Sequence, residues 1–510
     1  MPTAGAEESG VQLSDLPYDR LHIDGRWQAP DAEGERLTVI SPFTEELTAV
    51  VPSGTAYDMD RAVAAAREVV DRGDWDRLGL VRRIELLTTF RDLLTAAAEE
   101  MAALITHEMG CPITQSRNNQ VAGPLALLDE YLSVASAHRF REVRRSANGA
   151  AALVTREPVG VVAAITPWNM PLLTAMHKIV PAILAGCSVV LKPSPEAPLS
   201  AYLLAHLLES AGLPPGVFNL VPGDRKTGEH LVTHPGVDKV AFTGSLGAGR
   251  RIAALCGKDL RRVTLELGGK SAAIALDDAD LGTTVEALRM GSFRNSGQVC
   301  SLKTRVLVPA KREAELLDRL AAMVASMSVG DPRDPRTQIG PVVSARQRGV
   351  VEGYVQVARD EGAAVVVGGG RPHALRTGWY VEPTVLSRVL PRMRVAQEEI
   401  FGPVLSVIAY RDEDEAVAIA NDSIYGLSGA VFSEDPQRAL SVARRIRTGT
   451  VEINGCAAGP AAPVGGVKGS GIGREGGVEG MESYLEVKSI GLPTAVAAAL
   501  RHQIRRPGES

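Results

Sequence analysis

Aromatic residues are scarce in this sequence. They make up 4% of its 510 residues, whereas hydrophobic residues of all kinds make up 45%, so valine, leucine, isoleucine and alanine must supply most of the core. The chain also lacks a strong charge of either sign, because its formal net charge is −5 at pH 7. That charge gives no electrostatic reason to expect a nucleic acid or an anionic membrane as a partner. With 23% charged residues, the composition is typical of a soluble globular protein and argues against a disordered tail protein.

Cysteine is also infrequent and scattered. The five cysteines are Cys111, Cys187, Cys256, Cys300 and Cys456. No two of them have the CxxC spacing of a zinc or redox site, so neither a metal site nor a small disulfide-stapled fold is expected. The odd count fits a reducing compartment, in which one thiol could be reactive while the others are small buried hydrophobic residues.

Long hydrophobic runs are missing as well. The longest apolar stretch, residues 179–191, contains a proline and a glycine and is too short to cross a bilayer. The N-terminal residues MPTAGAEESGVQLSDL are acidic and lack the apolar segment of a secretory signal. We therefore expect a cytoplasmic protein.

The order of predicted elements indicates an α/β protein. The length suggests two to four domains. Residues 21–27, LHIDGRW, predict a hairpin with its turn at Asp24-Gly25, and apolar residues recur at helical spacing over residues 58–108. From residue 155 onward, short apolar strands alternate with helical stretches, and a second region of this kind covers residues 270–450. Such alternation predicts parallel sheets, whose strand-end loops bind ligands.

Three residues in strand-end or loop positions are candidates for chemistry. Cys300, in GQVCS, could be a nucleophile if nearby groups stabilise its thiolate. Glu266, in ELGGK, could act as a general base for water. Asn169, in TPWNMP, could donate a hydrogen bond to an oxyanion. Taken singly, each has an ordinary alternative: a buried core cysteine, a solvated strand-end charge and an Asx turn.

Two further motifs suit a phosphate or a ribose. FTGS, residues 242–245, ends a predicted strand at the start of a helix, where backbone N–H groups attract a phosphate. It lacks the GxGxxG pattern, so by itself the signal is weak. Lys192, in LKPSPEAP, could hold a ribose hydroxyl or a phosphate, or could simply be a surface lysine.

Taken together, these motifs resemble those of the NAD(P)-dependent aldehyde dehydrogenase superfamily over residues 20–490. The resemblance depends on their order and spacing, with Cys300 lying 34 positions after Glu266. The matching segments are TPWNMP, LKPS, FTGS, ELGGK, GQVC, EEIFGP, NDSIYGLSGAVF, GTVEIN and PVGGVKGSGIGRE. Any one of them could occur by chance, but the ordered set is highly specific.

The resemblance implies a mechanism. Cys300 would attack an aldehyde to form a thiohemiacetal, and the side chain of Asn169 with the backbone N–H of Cys300 would form the oxyanion hole. Hydride transfer to the nicotinamide would leave a thioester, which water activated by Glu266 would hydrolyse. Lys178 and Glu475 match family positions near a proton-exit path.

The resemblance also implies a cofactor site for NAD, with NADP possible. Lys192 would contact the adenosine ribose, Ser245 the pyrophosphate, and Glu399 with Phe401 the nicotinamide end. The full set of expected cofactor contacts is Ile165, Thr166, Pro167, Trp168, Lys192, Ser194, Gly228, Phe242, Gly244, Ser245, Leu267, Gly268, Glu399 and Phe401. Many NAD-preferring relatives have a glutamate where this chain has Pro195, with Glu196 one place later. Loss of that carboxylate would remove a repulsion against the 2′-phosphate of NADP.

The expected substrate contacts are Met170, His177, Arg294, Val299 and Ser301. None of Met170, His177, Arg294 and Val464 is aromatic, although relatives that oxidise apolar aldehydes often have aromatic residues there. Arg294, in FRNSGQVC, resembles an arginine with which semialdehyde dehydrogenases bind a distal carboxylate. A second arginine of that subgroup aligns with His177, so the tunnel could equally admit polar or bulky aldehydes, and a structural ion pair is the alternative role for Arg294.

The family fold implies two Rossmann-type parallel-sheet domains and a small β oligomerisation arm. The expected boundaries are residues 20–140 and 160–269 for the cofactor-binding domain, 270–465 for the catalytic domain, and 141–159 with 470–495 for the arm. The arm would turn at Asn148-Gly149 and add a strand to a partner's sheet, giving a homodimer or homotetramer. Two other hypotheses stay open: a CoA-acylating dehydrogenase, which the presence of Glu266 disfavours, and a catalytically silent NAD-binding homologue.

Overall fold

The structure is a computed structural model that describes residues 13–32 and 34–503. Most of the N-terminal segment that we interpret as lacking a secretory signal, residues 1–12, lies outside the described residues. Within the described ranges, no helix is both long enough and apolar enough to cross a membrane.

The elements follow the α/β alternation that the sequence predicts. The strands are β1 (Leu21–Ile23), β2 (Arg26–Gln28), β3 (Arg36–Ile40), β4 (Leu47–Pro52), β5 (Arg141–Arg145), β6 (Ala151–Pro158), β7 (Val161–Ile165), β8 (Ser188–Lys192), β9 (Phe218–Leu220), β10 (Lys239–Thr243), β11 (Arg262–Glu266), β12 (Ser271–Ala275), β13 (Lys303–Pro309), β14 (Ala364–Val367), β15 (Thr384–Ser387), β16 (Val404–Tyr410), β17 (Ser428–Phe432), β18 (Thr450–Ile453), β19 (Gly471–Ile472) and β20 (Leu485–Leu492).

The helices are α1 (Ala56–Arg72), α2 (Asp74–Arg77), α3 (Gly79–Ala96), α4 (Ala98–Met109), α5 (Ile113–Gln115), α6 (Ala122–Ala137), α7 (Pro171–Ala185), α8 (Leu199–Ser210), α9 (Arg225–Thr233), α10 (Leu246–Lys258), α11 (Leu281–Phe293), α12 (Glu313–Ala325), α13 (Ala345–Asp360), α14 (Arg394–Gln397), α15 (Glu413–Asn421), α16 (Pro436–Ala443), α17 (Gly477–Glu482) and α18 (Thr494–Gln503). A π-helical turn, Ser116–Val121, joins α5 to α6. It becomes important in the candidate site.

The first large sheet has eight strands in the order β19-β11-β10-β7-β8-β9-β1-β2. Its five central strands are parallel, and every residue of β7 and β8 is buried. Continuous apolar runs such as VVAAI are typical of parallel strands covered by helices on both faces. The predicted hairpin of β1 and β2 is confirmed, with φ of 54° at Asp24 and 64° at Gly25.

The second large sheet has seven strands in the order β14-β15-β16-β13-β12-β17-β18. All neighbouring strands are parallel except β14 and β15. Successive side chains of β12 and β13 point alternately into two apolar clusters, one on each face of the sheet. Both faces of these strands are therefore covered. This sheet accounts for the second α/β region of the sequence and, with the first sheet, confirms the predicted fold class.

A small antiparallel sheet, β20-β6-β5, stands apart from the two large sheets. Its β5–β6 hairpin turns at Asn148-Gly149, where Gly149 has φ of 85° and the Asn148 side chain accepts a hydrogen bond from the N–H of Ala150 at 3.1 Å. These contacts agree with the hairpin predicted for the arm.

The segment expected to complete the arm, residues 470–495, divides between two sheets. Only β20 lies in the small sheet, whereas β19 pairs with β11 at the edge of the first large sheet. The glycine at position 471 permits this, because a Cβ there would lie 2.0 Å from the backbone oxygen of Leu265. No side chain could approach the strand so closely, and the division is invisible in the local sequence.

Candidate active site

Three predicted catalytic residues line one cavity of about 350 Å³. Glu266 is the last residue of β11, Asn169 lies in the loop between β7 and α7, and Cys300 lies between α11 and β13. The first sheet thus supplies the carboxylate and the amide, while the segment that leads into the second sheet supplies the thiol. Because parallel strands end at the same edge of a sheet, Asn169 and Glu266 come together although they are 97 positions apart in sequence.

The loop before Cys300 has an unusual backbone. Asn295 and Ser296 have φ of 52° and 55°, and Gly297 follows with 78°. A Cβ at Gly297 would lie 2.1 Å from backbone atoms of Gly402. Such left-handed conformations are unfavourable for residues other than glycine and persist only where neighbouring groups hold them.

The thiol of Cys300 is protonated at neutral pH in this environment. Burial, with a further contribution from the carboxylates of Glu399 and Glu266, raises its pKa to about 12 against a smaller opposing effect of Arg294. A thiol is a weak nucleophile until it loses its proton. The nearby carboxylates are therefore candidates to accept that proton when substrate arrives.

Asn169 is buried, with 5% of its surface exposed. Its side-chain Nδ2 donates to the backbone oxygen of Gln298 at 2.8 Å. This bond uses one of the two N–H groups of the amide. The other N–H remains available to an oxygen in the cavity.

Glu266 is a buried carboxylate with one oxygen, Oε1, that has no hydrogen-bond partner among the described residues. Burial and the carboxylate of Glu475 raise its pKa well above the usual value, while Lys178 and Arg474 oppose this. A carboxylate with a raised pKa and a free oxygen can act as a general base near neutral pH.

Lys178 and Glu475 lie together behind Glu266. The ammonium of Lys178 donates to Oε1 of Glu475 at 2.7 Å and to the hydroxyl of Thr243 at 2.6 Å, and both charged residues are buried. Their electrostatic influence on Glu266 links this pair to the cavity.

A second cavity, of about 820 Å³, adjoins the first and shares with it the wall formed by Pro167, Trp168, Gly244 and Ser245. Ten of the expected cofactor contacts line it: Ile165, Thr166, Pro167, Trp168, Lys192, Ser194, Gly228, Phe242, Gly244 and Ser245. The other four line the smaller cavity: Leu267, Gly268, Glu399 and Phe401. The two adjoining cavities together present all fourteen expected cofactor contacts.

The polar groups of the cleft also fit a dinucleotide. Ser245 is the N-cap of α10, and its hydroxyl accepts from the N–H of Ala248 at 3.3 Å, so this helix start faces the cleft with its positive end. Lys192 donates to the backbone oxygens of Pro193 and Gly223 at 2.9 and 2.6 Å. Burial lowers its pKa to about 8.

The inner end of the cleft suits a ring and a ribose. Glu399 accepts a hydrogen bond from the N–H of Gly269 at 3.0 Å, and burial raises its pKa to about 7. Phe401 meets Trp168 edge to face with ring centres 5.3 Å apart. These groups surround the space directly beside Cys300.

Sequence reasoning missed several residues that line the cleft. Glu196 and Arg346 line both cavities, and Gln347 lines the inner one. Gln347 donates to the backbone oxygen of Phe401 at 2.8 Å, and Glu196 accepts a hydrogen bond from the hydroxyl of Ser194. Arg346 and Gln347 lie in α13, which no motif marks, whereas Glu196 adjoins the LKPS motif, where the sequence shows it as a carboxylate displaced by one place.

The expected substrate contacts do not form one group. Met170 and Val299 pack with Leu302 in a small apolar cluster. Arg294 and Ser301 line a third cavity, of about 310 Å³, which Cys300 does not line. His177 lines none of these three cavities, and burial lowers its pKa.

Within the described residues, Arg294 has no hydrogen-bond or ion-pair partner, and its buried Nε is unsatisfied. Beside it, Lys303 and Glu452 form an ion pair and line the same cavity. The cavity wall therefore presents a buried guanidinium whose charge is offset only in part, by the Glu452 carboxylate that already pairs with Lys303. The described residues include no cluster of three or more potential metal ligands.

Comparison with known proteins gives a consistent result. The family profile described as "Aldehyde dehydrogenase family" matches residues 27–490. Geranial dehydrogenase of Castellaniella defragrans is 48% identical over 475 residues, covering 93% of this chain and 99% of that protein. The 3-succinoylsemialdehyde-pyridine dehydrogenase of a Pseudomonas species is 44% identical over 478 residues, covering 93% and 98%.

Solved structures agree. Aldehyde dehydrogenase C of Pseudomonas syringae, a mutant in complex with NAD+ and octanal, superposes with a TM-score of 0.91 at 43% identity and covers 95% of this chain and 98% of its own. An aldehyde dehydrogenase of Mycobacterium tuberculosis in complex with NAD+ gives 0.92 at 42% identity, with 93% and 98% covered.

Proposed function

The chain belongs to the aldehyde dehydrogenase family, and we propose on that premise that Cys300, Glu266 and Asn169 oxidise an aldehyde to the carboxylic acid with NAD as the hydride acceptor. The observation that supports this most strongly is the joint presence of all three side chains in one cavity that shares a wall with the larger cavity. Bound NAD supplies a nicotinamide that accepts a hydride. The remaining chemistry belongs to this chain's own residues.

In the first half-reaction, the sulfur of Cys300 bonds to the aldehyde carbon as the thiol loses its proton to a neighbouring carboxylate. The carbonyl oxygen becomes an oxyanion, which the free N–H of Asn169 and the backbone N–H of Cys300 stabilise. Collapse of this thiohemiacetal expels the hydride with its electron pair, re-forms the C=O bond and leaves a thioester on Cys300.

In the second half-reaction, Glu266 takes a proton from water while the water oxygen attacks the thioester carbon. The C–S bond then breaks, the carboxylic acid leaves, and the sulfur regains a proton. Glu266 lines the cavity, and among the described residues its Oε1 has no hydrogen-bond partner that would have to be displaced in this step. We propose that the neighbouring pair of Lys178 and Glu475, which are hydrogen-bonded to each other at 2.7 Å, takes the proton onward.

A direct test uses the absorbance of reduced nicotinamide with purified protein, NAD and a panel of aliphatic, aromatic and carboxylate-bearing aldehydes. We expect turnover by wild type and none by Cys300→Ala. Glu266→Gln should give one rapid burst of reduced cofactor and then stop, because the thioester forms but is not hydrolysed. Wild type that turns over only with added CoA would establish the acylating reaction, and cofactor binding without turnover would establish a silent homologue.

NAD is the proposed cofactor, with NADP as a second acceptor. Pro195 and Glu196 both line the adenosine end of the cleft. The carboxylate of Glu196 accepts a hydrogen bond from Ser194. The same cavity is lined by Arg225 and by Arg251, which pairs with Glu229, and a 2′-phosphate of NADP would meet these basic groups. The ratio of kcat/KM for the two cofactors measures this preference.

The free guanidinium of Arg294 supports a second candidate, a semialdehyde dehydrogenase that holds a carboxylate at the far end of its substrate. Two relatives are named for different aldehydes, geranial and 3-succinoylsemialdehyde-pyridine, so membership of the family does not by itself specify the substrate. Arg294→Met should lower kcat/KM for a carboxylate-bearing aldehyde by about 100-fold and leave octanal unaffected. Equal losses for both aldehydes would instead indicate a structural role.

We propose that the small sheet serves as an oligomerisation arm. Its edge strand β20 exposes Val487 and Ile490, and an open strand edge can pair with a second copy. Light scattering should give a homodimer or homotetramer, and Val487→Asp should shift the mass downward. A monomeric wild type would contradict the proposal.

We also propose a cytoplasmic location. All five cysteines are free thiols in the described part of the chain, a state that a reducing compartment maintains. Cell fractionation with antibody detection tests this location.

A further inference from the structure

The backbone carbonyl of Asn169 accepts two side-chain hydrogen bonds. Nε2 of Gln120 and Nδ2 of Asn295 each lie 2.9 Å from this oxygen. Together with the bond from Nδ2 of Asn169 to the oxygen of Gln298, they fix both the main chain and the amide plane of Asn169. The direction of its second N–H is therefore set by residues outside the reacting group.

The donors are deeply buried. Gln120 and Asn295 are 1% and 2% exposed, and Gln298 is fully buried. Buried amides normally satisfy their hydrogen bonds, yet the side-chain oxygens Oε1 of Gln120 and Oδ1 of Asn295 have no partner among the described residues. Both amide nitrogens donate to the carbonyl of Asn169, and Nε2 of Gln120 has a second, weaker contact with the sulfur of Met109 at 3.9 Å.

The π-helical turn explains why Gln120 reaches this position. Ala122 donates to the oxygen of Arg117, five residues earlier. In a regular α-helix, the side chains of residues i and i+5 point about 140° apart around the axis. In a π-helical turn each N–H bonds to the carbonyl five residues earlier, and the wider turn brings residues i and i+5 to the same side. Gln115 and Gln120 are five apart, and both face the site, since Gln115 accepts from the N–H of Asn295 at 2.8 Å.

The two glutamines thus hold the two segments that form the oxyanion hole. Gln115 binds the left-handed segment at Asn295 that leads to Cys300, and Gln120 binds the segment of Asn169. Asn295 joins the two segments directly. Residues that fix the oxyanion hole can affect the rate, because a hydrogen-bond donor stabilises the transition state only when it already points at the developing charge.

We infer that Gln120, placed by the π-helical turn of residues 116–121, is a positioning residue that aims the Asn169 amide at the substrate oxyanion. This inference rests on the proposed function, because it assumes that Asn169 is an oxyanion-hole donor. It predicts that the effect of Gln120 on the reaction passes through Asn169.

A double-mutant cycle tests this dependence. The variants are Gln120→Met, which keeps the length and loses the donor, Asn169→Ala, and the double variant. We expect Gln120→Met to lower kcat/KM for the aldehyde about tenfold, with KM for NAD and the melting temperature little changed. In the Asn169→Ala background, the same change should cost less than about twofold, because the group that it positions is already gone.

Asn295→Gly is the second variant, since glycine keeps the left-handed backbone and removes the other donor. It should behave like Gln120→Met, and it tests the inference even if Gln120→Met fails to fold. A full tenfold loss in the Asn169→Ala background, or no loss in wild type, would overturn the positioning role. Asn169→Ala that retains wild-type kcat/KM, in place of the 10²–10³-fold loss that is typical for a missing donor, would overturn the proposed function instead.

Discussion

The ammonium of Lys178 lies 2.7 Å from a carboxylate oxygen of Glu475, and both side chains are buried beside Glu266. The pair is close to neutral as a unit, so removal of either partner leaves a buried charge. That charge must change the ionisation of Glu266, in opposite directions for the two partners.

Glu475→Gln should move the acid limb of the pH–rate profile for thioester hydrolysis to lower pH. The Glu475 carboxylate raises the pKa of Glu266, so its removal makes the base available at lower pH. Lys178→Met should move the same limb to higher pH, because the ammonium lowers that pKa. Profiles of kcat between pH 5 and 9 measure both shifts, and two shifts of the same sign would contradict this coupling.

The cysteines should differ in their rates of alkylation. Cys456 is exposed, whereas Cys111, Cys187 and Cys256 are buried. At neutral pH, iodoacetamide should label Cys456 first and Cys300 slowly, because the pKa of Cys300 is raised to about 12 and little thiolate is present. Labelling of Cys300, followed by mass spectrometry and by loss of activity, should accelerate about tenfold per pH unit.

Cys456→Ser provides the control for this experiment, since it should remove the fast phase without changing turnover. If Cys300 reacts as fast as Cys456 at pH 7.5, the free enzyme already holds a thiolate, and a base in the cavity must have taken its proton.

Pro195→Glu should increase discrimination against NADP. A carboxylate at this position of the cleft would repel a 2′-phosphate and could hydrogen-bond the ribose hydroxyls of NAD. We expect kcat/KM for NADP to fall by about tenfold or more, while that for NAD stays similar. The converse change, Glu196→Gln, should favour NADP, and an unchanged ratio in both variants would show that neither position contacts the ribose.

Gly268→Ala should weaken cofactor use. A Cβ at this position would lie 2.1 Å from a carboxylate oxygen of Glu399, so Glu399 would have to move from its place in the cavity. KM for NAD should rise several-fold, as measured by initial rates at saturating aldehyde. Gly257→Ala is the matched control, because a Cβ there meets nothing within 4 Å and alanine favours the helix interior. Equal effects of the two substitutions on KM would contradict the proposed contact between Glu399 and the cofactor.

Much of the architecture could be predicted from local sequence. The runs VVAAI and SVVLK have the continuous apolar character of buried parallel strands, and both occupy the middle of the first sheet. Asp24-Gly25 has the residue types that a tight hairpin requires. These features depend on backbone preferences and periodicity, which act over a few residues and can be read along the chain.

The main site residues could also be identified in this way, because short motifs mark the strand ends at which they lie. Glu266 ends its strand and Asn169 follows its own, and their convergence is a geometric consequence of parallel pairing. Each motif specifies its own loop, and the sheet brings the loops together.

Only the tertiary structure decided which distant groups meet. No local pattern predicts that Gln120 donates to the carbonyl of Asn169. Nor does one predict that Arg294 lines a cavity that His177 does not line, or that β19 and β20 belong to different sheets. These contacts join residues far apart in sequence, and they form because buried polar groups must find partners and close backbone approaches require glycine. The sequence therefore determines the elements and the reacting side chains, whereas long-range packing decides how those side chains are aimed.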